Sequence, residues 1–377
     1  MMDDLENLKK EVFDYLRKGL PLMALDVIRG KAPEEIKRVA EKLLEDPSNI
    51  KELDEEWKDI LSLIYFSHFS LITNEMMSRE GLVSWSISSL NTAKLARKFN
   101  LPELEARSAS NAGKALVLMH MPERAYRAYL EADRIYRTLD KTEENLRGFV
   151  ANLNDLGAFC IEQERFDDGE RYLTEALEII RGNPDIFKPN ILGEVLSNLG
   201  SLMTELRKFD LAEEYYKESE SIFRKLSEED ERYIVDLATV LNNRGAMYRE
   251  MKRFDLAEEK FNEAKEIFEE MAERNEFYKG FLGDTYTNLA VIYKKTGRLE
   301  SAEEAFLIDL DLKKELVAKN PAYLKSLAHS FDNLSEFYKE IGREKEAKKY
   351  KEEANKIYDR LLKAKKIEKH RTDFPAS

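Results

Sequence analysis

The hexapeptide FDLAEE occurs at residues 209–214 and returns 45 residues later, at 254–259. Each copy ends in adjacent carboxylates, Glu213–Glu214 and Glu258–Glu259, a residue type that performs general acid–base catalysis when two are held together. Both pairs, however, stand in regularly spaced helical sequence with Lys nearby, the pattern of a solvated helix face. His68, His120, His329 and His370 are scattered, and none has a second His or Cys at metal-ligand spacing. Cys160, the single cysteine, falls where corresponding stretches carry Tyr or Met, so it reads as core rather than as a nucleophile. The phosphate-binding patterns GxGxxG and GxxxxGK followed by Ser or Thr are absent, and Gly280 and Gly283 read as two glycines ahead of a helix. The expectation is a protein that is not an enzyme and uses no metal or cofactor.

The elements carrying these residues read as helices. Charged residues make up 36% and hydrophobic residues 43% of the 377, too apolar for disorder and too charged for a simple globule. Fifteen Gly and nine Pro are few for a sheet-rich fold, whereas Glu, Lys, Leu, Ala and Arg abound. A net charge of −13 sets the chain against phosphate backbones, so nucleic acid is not an expected partner. One cysteine excludes an internal disulfide framework and suits a reducing cytoplasm. The start, MMDDLENLKK, lacks the apolar core of a secretory signal. The apolar run at residues 60–72 is too short to span a bilayer and reads as a buried helix, so no membrane partner is expected. Gln163 is the sole glutamine; with the excess of Glu, Lys and Arg it matches a thermophile's composition.

FDLAEE is one mark on a longer ruler. Small residues at Gly113, Gly157, Gly200, Gly245, Ala290 and Ser335 recur at spacings of 44, 43, 45, 45 and 45, inside signatures such as SNLGSLM, NNRGAMY, TNLAVIY and DNLSEFY. Twelve residues after each comes another small residue: Ala125, Gly169, Ala212, Ala257, Ala302 and Ala347. Four further on stands a large one (Tyr129, Leu173, Tyr216, Phe261, Phe306), with Lys351 breaking the rule. Small residues let helix backbones approach, and a large side chain fills the hole one turn away. Each unit is therefore a helix–turn–helix hairpin with helices of about 18–20 residues. Gly297 and Gly342 suit a left-handed cap closing the first helix, and Asp210 and Asp255 suit the start of the second.

This pattern, best seen in YTNLAVIYKKTGRLESAEEAF at residues 286–306, resembles the tetratricopeptide repeat. It is present in six units, and a degenerate seventh uses Phe69, Gly81, Trp85 and Ser88. The family's usual period is shorter, and the extended units here are similar to those of kinesin-light-chain-type arrays. The resemblance implies an all-α fold: an α-α superhelix, or solenoid, of about seven helical hairpins with capping helices at the N-terminus. The domain reading is a helical cap over residues 1–52, then repeats near 53–99, 103–138, 147–181, 190–226, 233–272, 279–318 and 324–362. Residues 363–377 form a basic tail, with Lys363, Lys365, Lys366, Lys369 and Arg371. Two residues depart from the family pattern: Arg244 replaces a Leu and Asp309 an Ala. The leading expectation is that Arg244 reaches out to water and Asp309 faces a groove; the alternative is a functional joint in the solenoid.

In this family the first helices line an inner face, and the residue two before the framework Gly projects into it. Those residues are Asn111, Asp155, Asn198, Asn243, Asn288 and Asn333. An amide can donate to a peptide C=O and accept from its N–H at once, so the resemblance implies a binding ladder; the alternative is that each Asn bonds to an adjacent turn. Arg249, Lys294 and Lys339 add a basic stripe one turn away, opposed by Glu205, Glu250, Asp284, Asp332, Glu336 and Glu340. The basic turn residues Arg165, Lys208, Arg253, Arg298 and Arg343 are expected to be merely solvated. The functional expectation is a cytoplasmic scaffold or adaptor that captures a protein or peptide of mixed charge in the concave groove. The alternatives are an architectural protein assembling as a homo-oligomer through its ends or convex face, and a peptide-responsive regulatory sensor.

Overall fold

The computed structural model describes residues 2–73, 79–320 and 323–372. Among these residues there are seventeen α-helices and no strand, an all-α arrangement of the solenoid class. The chain divides into two compact units, Met1–Phe187 and Lys188–Ser377.

The first unit opens with α1 (Met2–Arg17), α2 (Pro21–Lys31) and α3 (Glu34–Lys42). Three hairpins follow: α4 (Glu55–Thr73) with α5 (Arg79–Lys98), α6 (Pro102–Leu118) with α7 (Pro122–Tyr136), and α8 (Glu143–Glu162) with α9 (Phe166–Gly182). Leu16, Leu25, Ile28 and Leu43 bury their side chains together with Ile60, Leu61, Leu63 and Ile64, so α1–α3 share one core with α4. The apolar run at 60–72 is thus a helix buried over its first half, as its composition suggests. Arg107 on α6 donates to the carbonyls of Leu16 at 3.2 Å and Arg17 at 3.0 Å. A cation there satisfies the last carbonyls of α1 and the negative end of its dipole.

The second unit comprises α10 (Pro189–Glu205) with α11 (Phe209–Glu229), α12 (Ile234–Glu250) with α13 (Phe254–Arg274), α14 (Lys279–Lys295) with α15 (Leu299–Lys319), and α16 (Leu324–Glu340) with α17 (Glu344–Thr372). The two halves of a hairpin are unequal: 17 residues in α12 and 21 in α13. The linker after each of α11 and α13 is a single 3-10 turn started by an Asp or Asn. Asp230 accepts from the N–H of Arg232 and Asn275 from that of Phe277, each at 3.0 Å. Gly280 and Gly283, expected ahead of a helix, lie inside the first turns of α14. The side chains of the basic tail, and residues 373–377 altogether, lie outside the described residues.

The framework positions pack as their spacing implies. A Cβ at Gly200 would stand 2.7 Å from the Tyr216 ring, and one at Gly245 would stand 2.8 Å from Phe261. The methyl group is excluded because the ring already fills that space. Gly297 and Gly342 have φ of +80° and +78°, the left-handed cap expected of them. Arg207 and Lys252, at the corresponding positions of earlier hairpins, adopt φ of +56° and +59° without being glycine.

Four expectations are corrected. The first glutamate of each FDLAEE copy does not simply face water, and the basic turn residues are not merely solvated. Glu213 accepts from the Tyr248 hydroxyl at 2.9 Å. Arg298 stacks on Tyr293 and grips Glu258 through two bonds of 2.8 and 2.6 Å. Glu303 accepts from the Tyr338 hydroxyl at 2.6 Å and from Arg343 at 2.9 Å. Glu213, Glu258 and Glu303 are spaced by 45 and each ties one hairpin to the next. Arg244 does not reach water either: its side chain is 11% exposed and donates to Glu220 at 2.5 Å and to Tyr248 at 2.9 Å. Asp309 faces no groove. It is 2% exposed, wedged against the bare backbone of Gly283.

Candidate functional site

In the second unit Asn198, Asn243, Asn288 and Asn333 sit on successive first helices, α10, α12, α14 and α16, all half-buried. Each precedes by two the small residue that meets the second helix, so helical periodicity turns it about 200° away from that contact. Three residues on neighbouring helices meet directly. Arg249 Nη1 on α12 donates to Asn288 Oδ1 on α14 at 2.7 Å, and Asn288 Nδ2 donates to Asn242 Oδ1 at 3.3 Å. Guanidinium has donors only, so the atom it meets must be the amide oxygen. That fixes the Asn288 amide, which in turn fixes Asn242. Asn242 belongs to this group yet escaped the sequence reading; the signal was the doubled Asn in NNRG.

Asn243 and Asn333 hold no side-chain hydrogen bond among the described residues. Their amides are half-exposed and retain both donors and an acceptor for an incoming group. The basic stripe is partly spoken for. Lys294 pairs with Glu340 at 2.9 Å, and Arg249 lies 3.4 Å from Glu250; Lys339 is exposed. Asp332 takes Lys351 at 2.8 Å and the Tyr358 hydroxyl at 2.9 Å, so the opposing acids are also partly engaged. Within the first unit Asn111 is half-buried on α6. Asp155, the one acid in the series, pairs with Lys114 at 2.8 Å. Burial raises its carboxyl above the usual range, with Lys114 opposing.

The thiol of Cys160 is fully buried, and burial pushes it up to about 11, so it is a neutral core group at physiological pH. Burial lowers the His68 imidazole. Among the described residues no three His, Cys, Asp or Glu side chains are grouped to hold a metal ion. No helix among them is long and apolar enough to cross a membrane.

Residues 149–225 and 236–307 match the tetratricopeptide repeat family. No curated protein matches the sequence. Solved structures share the fold at low identity. BtubC (BKLC) from P. vanneervenii is 21% identical over 64% of this chain and 92% of its own, with a TM-score of 0.51. Aspartyl phosphate phosphatase F from Bacillus subtilis is 12% identical, covering 93% of each chain, with a TM-score of 0.56. NprR in complex with its cognate peptide NprX is 15% identical over 96% of this chain and 94% of its own, with a TM-score of 0.57.

Proposed function

This chain is a tetratricopeptide-repeat protein, and on that premise we propose that it binds an extended segment of another protein, or a peptide, along the first-helix faces of its second unit. Asn243, Asn288 and Asn333 hold the ligand backbone; Asn198 extends the row on α10, and Asn111 is a corresponding position in the first unit. Arg249, Lys294 and Lys339 select acidic side chains, and the exposed Glu205, Glu250 and Glu336 select basic ones, which suits a ligand of mixed charge. The observation that carries this reading is the Arg249–Asn288–Asn242 relay, which holds half-exposed amides in one orientation before any ligand arrives. Pre-ordering matters because immobilising a side chain on binding costs about 0.5–1.5 kcal/mol. The fold shared with peptide-bound NprR supports the same reading. The role is capture rather than catalysis, in the reducing cytoplasm of a heat-adapted cell, which the lone buried cysteine and the single glutamine support.

Peptides selected from a random library on the wild-type protein provide the test. Binding is measured by calorimetry against a variant with Asn243, Asn288 and Asn333 all changed to Ala. Three lost hydrogen bonds at about 1 kcal/mol each weaken affinity about 100-fold. A triple variant that binds the same peptides as tightly as wild type refutes the assignment.

A further inference from the structure

At two framework positions the fifth hairpin carries charge where the other hairpins carry apolar or aromatic residues. Position 244 is Ala112, Leu156, Leu199, Leu289 and Leu334 in the corresponding hairpins, and position 260 is Ala128, Tyr172, Tyr215, Ala305 and Tyr350. In the fifth hairpin they are Arg244 and Lys260, and both turn towards Glu220 of α11, in the fourth. The position of Glu220 is Asp133, Leu177, Lys265, Leu310 and Asn355 in the other hairpins, so the acid itself is one of several polar residues there. What sets this contact apart is the fifth hairpin's side, where two cations replace apolar or aromatic residues and close on one acid.

The resulting core shares its partners. Glu220 is 7% exposed and accepts from Arg224 at 2.7 Å and Arg244 at 2.5 Å, with Lys260 at 3.6 Å. Glu263 on α13 receives Lys260 at 2.6 Å and also Arg224. Arg244 lies 3.7 Å from Glu213, which also takes Lys217 at 2.9 Å. Burial works against the charge on Glu220, yet Arg224 and Arg244 hold its carboxyl below the usual range. An open cleft of about 390 Å³, lined in part by Glu220, Arg224 and Arg244, lets solvent and ions reach this core.

Interdigitated apolar side chains resist sliding, because a small displacement forfeits contacts that nothing replaces. A cluster in which every carboxylate has two or three cations within reach can trade one partner for another as the helices slide. We infer that the contact between the fourth and fifth hairpins is an adjustable joint, at which α10–α11 shears against α12–α13 by exchange of ion-pair partners. Its neighbour between α13 and α14 has buried Leu289 and Ala305 at the corresponding positions, and Glu258, which crosses it, pairs with Arg298 with no second cation to trade among the described residues, so this contact stays fixed. The joint lies between Asn198 and Asn243, so it sets the step in the amide row. That functional consequence rests on the peptide-binding reading, whereas the mechanical claim does not.

Spin labels test the joint without a ligand. Asp210, Asp255 and Glu300 are exposed and stand in the first turn of α11, α13 and α15, while the buried Cys160 stays unlabelled. One pair, Asp210→Cys with Asp255→Cys, straddles the joint, and a second, Asp255→Cys with Glu300→Cys, straddles the fixed contact. Distances are measured by electron–electron resonance at about 0.05 M and about 0.5 M salt, which brackets the range over which exposed charges become screened. The first distance shifts or broadens by about 1–2 Å, the usual scale of interface shear, and the second does not. The triple change E220L/R244L/K260Y, which installs residues found in the other hairpins, abolishes the response. Circular dichroism confirms that this variant folds; if it does not, K260Y alone, which removes one of the shared cations, must reduce the response. Equal responses from both pairs, no response from either, or a response that survives in the folded variant overturns the inference. A triple Asn243, Asn288 and Asn333 variant that binds peptides as tightly as wild type, with the salt response intact, refutes the peptide reading alone.

Discussion

Replacing Asp309 with Ala should stabilise the protein at neutral pH, although it deletes a charged residue from a structure rich in ion pairs. The neighbouring hairpins hold Ser219, Ala264 and Ala354 at the corresponding position. Asp309 is 2% exposed, its Oδ1 has no hydrogen-bond partner, and a Cβ at Gly283 would stand only 2.6 Å from that oxygen. The nearby ammonium of Lys313 is committed elsewhere, to the Gly280 carbonyl and to Asp284, each at 2.7 Å. Burial therefore dominates, only partly opposed by Ser330 and Lys313, and pushes the carboxyl from 3.8 up to about 6. A raised carboxyl favours the folded state in its neutral form, so this contribution is complete below about pH 4 and is lost as pH rises through 6. At about 1.4 kcal/mol per tenfold change in proton affinity, ionisation at pH 7 costs about 3 kcal/mol. Asp309→Ala removes that cost and gives up the weaker polar contacts, leaving a gain of about 1–3 kcal/mol at pH 7. At pH 4 the gain disappears. Repeat arrays open in parts, so the readout is amide hydrogen exchange in α14 and α15 at pH 4, 5, 6 and 7, corrected for the intrinsic exchange rate. A variant less stable at pH 7, or a difference that does not change with pH, refutes the reasoning.

Other perturbations have definite signs. Gly200→Ala forces a methyl group onto the Tyr216 ring, and overpacking of about 1–3 kcal/mol should outweigh a helix-propensity gain of about 1 kcal/mol; the urea midpoint falls. Gly280→Ala meets nothing closer than 3.7 Å, so the midpoint should hold or rise. Lys252→Gly relieves a left-handed residue at φ +59° and should add a few tenths to about 1 kcal/mol, after the added freedom of the unfolded chain is subtracted. Glu303→Ala removes the acceptor shared by Tyr338 and Arg343; discounted for solvent screening, the cost is about 0.5–1.5 kcal/mol. A double-mutant cycle with Tyr338→Phe should show coupling between the two residues.

The sequence was most legible where one residue type can satisfy the geometry. The period, the hairpins and the turn glycines could be read because Gly200 must be small beneath Tyr216 and Gly297 must tolerate positive φ. The Asn row was visible as a position, since Asn243, Asn288 and Asn333 share one register. What each amide bonds to was not visible, because the partner comes from another hairpin: Arg249 reaches Asn288 across 39 residues of sequence. The charged exceptions misled for the same reason. Arg244 looked like a side chain bound for water because its three-way sharing of Glu220 involves residues on different helices.

Contacts within about one turn or one hairpin set the local units, so helices, caps, turns and the faces that must be small or large are all written in the residue order. Which charges pair is settled by how the hairpins stack. The second glutamate of FDLAEE could be solvated while the first, Glu213 or Glu258, and Glu303 in the same register of the next hairpin, became straps between hairpins. A carboxylate's role depends on which donor lies within about 3 Å of it, and that donor is supplied by the next hairpin, whose placement no local spacing encodes.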